Sequence, residues 1–238
     1  MKHIGNNTEE AALKRSNLGY VLVLIAALMW GTIGIFVNGI SALGVSSQSM
    51  AAFRLLSGAV LMAPVLVFMG CQGGAREGKA SGPMALFKAS PKELVPCALV
   101  GIVGLAVANT CYYECMGEVG MSTASVLLYT SPVFGVMLGR VLYREGVTPN
   151  KLVAIIFNIV GCVLAVTSGD LSGFHFSTWG VASGVIAGLC GALLAVFSRM
   201  ATKTLHPLAV TFWGFVFGGC FMAVLSAPWS DVAAAMSP

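Results

Sequence analysis

Charge is what this sequence has least of: Asp, Glu, Lys and Arg make up 9% of its 238 residues. A soluble domain carries roughly 25%, enough to keep a hydrated shell, so a water-solvated globule is excluded. Signatures of catalysis are missing as well. No phosphate-binding glycine loop, HExxH zinc pattern or GxSxG nucleophile turn occurs, which argues against an ATPase and a membrane hydrolase. His175 and His206 have no nucleophile or carboxylate at useful spacing. Of the seven cysteines, all but Cys71 fall in apolar runs, where they act as small hydrophobes. Cys111 and Cys115 stand one turn apart, but no His or carboxylate pair completes a metal set. No metal and no cofactor is expected.

What the chain has is apolar sequence, 57% of it, with a mean hydropathy of +0.88. Runs of about 18 or more apolar residues recur, each long enough to cross a hydrocarbon core of roughly 30 Å. They predict seven spans, at 18–40, 48–69, 94–117, 122–142, 152–168, 178–198 and 206–227. The first run lacks a small-residue cleavage site and reads as a retained span behind a polar tail, residues 1–17. The basic residues test this division. Lys2, Lys14 and Arg15, then Arg76, Lys79, Lys88 and Lys92, then Arg140, Arg144 and Lys151, then Arg199 and Lys203 occupy every second connection. The segments between, 41–47, 118–121, 169–177 and 228–238, hold no Lys or Arg. Positive residues mark the cytoplasmic side, so the N-terminus is expected there, in a cell (inner) membrane protein. The net charge of +4 is then a membrane signal, with no nucleic-acid partner implied.

The pattern also restarts. A shift of 161 residues lays Gly19 on Gly180, Ala26 on Ala187 and Phe36 on Phe197; one of 160 lays Gly58 on Gly218 and Met62 on Met222. Spans six and seven thus repeat spans one and two. A five-span unit followed by its copy must insert the copy upside down, the inverted-repeat plan of many secondary transporters. The fold class expected is all-α: a polytopic membrane helix bundle with 18–168 as one complete five-helix repeat. Residues 178–238 are read as the start of a second, so seven of ten expected helices are present and a truncated chain is expected. An inactive fragment or scaffold, needing the missing helices or a partner chain, is the competing reading.

Several stretches carry a family likeness: "AALMWGTIGIF" in span one, "AAFRLL" around Arg54, and "ASVLLYTSPVFGVMLG" in span four. To these "YREGVTPNKLVAIIFNIVGCVLA" adds the entry into span five. Across 18–227 the chain resembles the drug/metabolite transporter superfamily, in particular its ten-helix EamA-type members. That resemblance implies export or uptake of small metabolites, often amino acids or related compounds, without an ATP site. The partners implied are a small-molecule solute and the lipid bilayer; a homo-oligomer is compatible with it.

Two charges lie well inside spans, Arg54 and Glu114. An ionisable group at membrane depth is expensive, so its default reading is functional. Counted from the outer ends of their spans, both sit roughly 9 Å deep, which makes an ion pair an available arrangement. A static structural pair, or an arginine snorkelling to headgroups, is the bland alternative. Asn109, Thr110, Tyr112 and Tyr113 on span three, and Tyr129, Thr130 and Ser131 on span four, add groups that can hydrogen-bond a polar solute or simply one another. Trp30, followed by Gly31 and Gly34, lies mid-span and can line a solute path or only pack. The substrate-binding candidates are therefore Trp30, Arg54, Asn109, Tyr113, Glu114 and Tyr129. Pro132 removes a helix hydrogen bond in span four and is a candidate hinge or fixed kink. Gly180, Gly184 and Gly188, then Gly214 and Gly218, recur every four positions and read as packing seams.

Overall fold

The computed structural model describes residues 45–73, 89–144, 148–167 and 177–227, with isolated positions between 19 and 28 and at 87, 146 and 229. Trp30, Glu145 and most of the first expected span lie outside the described residues. The other six spans are all present as helix, and no strand occurs among the described residues.

Local sequence starts each helix. Helix α1, Ser47–Gly73, opens where the Ser46 hydroxyl accepts the Ser49 N–H at 3.2 Å, satisfying an orphan donor of the first turn. Helix α2, Pro91–Leu99, has Pro91 in its first turn and Glu93 reaching back to the Ser90 N–H at 2.7 Å. It runs on through a π-helical stretch, Val100–Val107, into α3, Ala108–Leu128. Helices α4 (Ser131–Tyr143) and α5 (Pro149–Thr167) follow. Helix α6, Thr178–Ala201, is capped by Ser177, and α7, Pro207–Ser226, by the His206 ring, which accepts the Leu208 N–H at 3.3 Å. Four stretches are long and apolar enough to cross a membrane: Ser47–Cys71, Pro91–Leu128, Thr178–Ala201 and Pro207–Ser226.

Helix α3 holds the end of one expected span and the start of the next, and one glycine separates them. Gly120 has φ 81° and ψ 161°, a conformation open to glycine and strained for any side chain. The chain folds back there. In a straight helix Tyr112 and Ser125 would stand about 20 Å apart; here their hydroxyls meet at 3.3 Å.

The interior is small and the exterior large. Ala51, Ala52, Ala106, Ala124, Ala187 and Ala201 are buried, while Leu61, Phe157 and Val224 are 72%, 72% and 82% exposed. Lipid is as apolar as leucine, so close approach of small residues drives association where the hydrophobic effect does not. Consecutive helices α6 and α7 touch each other little; α6 packs on α3 and α4, and α7 on α1 and the π stretch. Gly184 lies against Leu127 and the Cys115 sulfur, Gly180 against Val119, and Gly188 against Thr130. Gly214 and Gly218 receive Gly101 backbone to backbone. Helices α1 and α7 run antiparallel, with Gly58 on the Phe215 ring and Gly219 on Leu56.

Candidate functional site

Polar groups gather where α1 meets α3. The Arg54 Nη2 donates to the Asn109 Oδ1 at 3.2 Å. Asn109 in turn donates to the Leu105 carbonyl at 2.6 Å, and Thr110 to the Ala106 carbonyl at 3.0 Å. Both carbonyls belong to the π stretch, whose widened turns leave backbone oxygens for side chains to satisfy. Tyr113, one turn beyond Asn109 and so on the same face, packs on Ala51, Ala52, Leu55 and Ala106. Arg54, Asn109 and Tyr113 thus form one cluster.

Glu114 stands apart from it. Its carboxylate accepts from the Gln48 amide at 3.5 Å, and no ion pair with Arg54 forms. The antiparallel register explains why counting from helix ends misleads. Arg54 faces Asn109 and Gln48 faces Glu114, so Glu114 sits level with the first turn of α1, six residues or about 9 Å along α1 from Arg54. Helix α3 projects past the start of α1, and equal counts from two ends are unequal depths.

The span-four candidates are held differently. Tyr129 is 50% exposed, and what is held is its backbone. Pro132 has no N–H, the Val133 N–H turns to the Thr130 carbonyl at 2.9 Å, and the Tyr129 carbonyl is released. The Asn158 amide of α5 takes it at 3.1 Å. Ser131 lies against Gly191 of α6. Sequence reasoning passed over Asn158, Gln48 and Glu118. The last accepts the Ser177 hydroxyl at 2.8 Å and so ties the start of α6 to α3. Each is a polar residue within or beside an apolar run, a signal available but weak. At the opposite end of α6, Arg199 lies over the Tyr143 ring, 4.0 Å from its centroid.

Residues 17–167, which hold the whole cluster, match the EamA-like transporter family. The chain belongs to that family. Relatives of this EamA-like chain share its low identity and wide coverage. An uncharacterized transporter of Bacillus subtilis, YyaM, is 23% identical over 76% of the chain. The uncharacterized inner membrane transporter YicL of Salmonella typhimurium is 22% identical over 86%, and human solute carrier family 35 member G1 is 22% identical over 92%. The EamA-like chain spans 56%, 65% and 59% of those three proteins' lengths. No solved structure matches it. Family and apolar helices together make it a multi-pass membrane protein.

Proposed function

We propose that the chain acts in a secondary transporter that moves small metabolites, such as amino acids or related compounds, by alternating access. The observation that carries this reading is the Arg54–Asn109–Tyr113 cluster in an otherwise apolar helix bundle. A solute leaving water needs a few placed polar groups in an apolar cavity, and these three supply a cation, an amide and a phenol. Trp30 and Tyr129 are assigned to the same path, and Pro132 to the hinge.

The division into inverted halves, 18–168 and 178–238, supports the rocking that alternating access requires. Helices α1 and α7, equivalent under the 160-residue shift, cross antiparallel, and their equivalent glycines Gly58 and Gly218 both lie at close helix contacts. The charge map supports a cytoplasmic N-terminus. Glu114, turned to Gln48 and away from the Arg54–Asn109 pair, is assigned to the coupling proton.

Reconstitution tests both levels. Proteoliposomes holding the protein should exchange labelled amino acids faster than empty liposomes, and flux equal to the empty control overturns the transport reading. Where flux is present, Glu114→Gln should remove its pH dependence without loss of insertion. Unchanged pH-dependent flux in that variant sinks the proton role alone.

A further inference from the structure

The cluster is unbalanced in charge. Arg54 has one side-chain partner among the described residues, Asn109, and that partner is a neutral amide. The first span, most of which lies outside the described residues, has no Asp or Glu in its sequence. Glu114, the carboxylate well inside the spans, is turned to Gln48, about 9 Å along α1 from Arg54. Snorkelling does not relieve the charge either. Arg54 lies seven residues into α1, about 10 Å below its start, and its guanidinium points across to α3 at its own level. One Nη2 hydrogen is used on Asn109, which leaves most of the planar donor fork open. Tyr113, one turn beyond Asn109 on the same face of α3, adds a phenol to the cluster.

We infer that this site takes a solute bearing a carboxylate, and that the Arg54 guanidinium is the group that binds it. The inference rests on the reading of this cluster as the solute site. A carboxylate matches the fork in geometry, accepting two parallel N–H bonds, and in charge, one negative against one positive. A phosphate monoester carries about −1.5 to −2 and would need a second cation, which the described part of the cluster lacks. The resting site is an incomplete ion pair, and the substrate completes it.

Binding can be measured without flux, so failure of transport and failure of this assignment are separable. The purified protein in detergent is titrated with acetate, succinate and benzoate, each against its neutral amide, and with glycerol phosphate, following the thermal shift. At least one carboxylate should bind tenfold or more tightly than its amide and than glycerol phosphate. Arg54→Gln should abolish that preference, and Arg54→Lys should keep a weaker one, since the charge stays and the fork is lost. Asn109→Asp should cost the carboxylate tenfold or more, because a built-in anion then occupies the fork, at the expense of the Leu105 bond. That variant keeps the test alive if Arg54→Gln fails to fold. Equal binding of acid and amide, preference for the phosphate, or carboxylate binding untouched by Asn109→Asp would each overturn the assignment.

Discussion

At the scale of single residues, the site and the seams were legible to different degrees. Composition singled out Arg54, Asn109 and Tyr113, because each is costly or unusual in an apolar span, and the fold brings them together. Their true depth was hidden, since it depends on how far α3 slides past α1, which neither helix encodes alone. The glycine ladder of α6 was visible as a four-step pattern, whereas Gly101 was not, lying outside any such repeat. Yet Gly101 makes the tightest approach: an added Cβ would press on the Gly214 carbonyl and lie 2.7 Å from the Gly218 nitrogen. Backbone cannot step aside without parting the helices. Gly101→Ala should therefore destabilise by about 1–3 kcal/mol, the usual range for overpacking. Gly117, with nothing within 4 Å of its added Cβ, is the control. Gly117→Ala should be neutral or stabilising by up to about 1 kcal/mol, from helix propensity. Thermal unfolding in detergent checks the pair, and equal losses would show that the close contact is not what matters.

At the scale of elements, proline and glycine act where the apolar alphabet is silent. Gly120 turns one long helix into a hairpin, and the empty stretch 118–121 in the charge map already marked that place. Pro132 was expected to bend span four, and the break falls just before it, at Tyr129 and Thr130. The consequence could not be read ahead, because it needs a partner from another helix. At that break the Val133 N–H turns to Thr130 and leaves the Tyr129 carbonyl, and Asn158 answers it. Hydrogen bonds between membrane helices average about 0.6 kcal/mol and reach about 1.7, so Asn158→Leu should cost within that range. Pro132→Ala removes the ring's clash and restores a donor for the Leu128 carbonyl, so the helix can close through the break and Val133 can return to Tyr129. In that background Asn158→Leu should cost less, and a double-mutant cycle with no coupling would break the link between the two residues.

At the scale of the whole molecule, the two proposed halves interlock more than they face each other. Helix α6 is fastened to the first half at both ends, by Ser177 on Glu118 and by Arg199 over Tyr143. Helix α7 is wedged between α1 and the π stretch. The 160-residue shift proposes which helices are equivalent and leaves open which ones touch, because small residues mark a seam without naming its partner. The fastening also gives orientation a sharp test, since α6 spans about 36 Å from end to end and both its ends are exposed. By the charge map Thr178 is outside, and Lys203, in the turn after α6, is inside. In a background with the seven cysteines replaced, Thr178→Cys should react with a membrane-impermeant maleimide in intact cells. Lys203→Cys should react only after the membrane is opened. The reverse pattern would invert every assignment of inside and outside, and with it the outer placement of Glu114. Labelling of both in intact cells would mean that α6 does not cross at all, which its packing between α3 and α4 makes hard to reconcile with the fold.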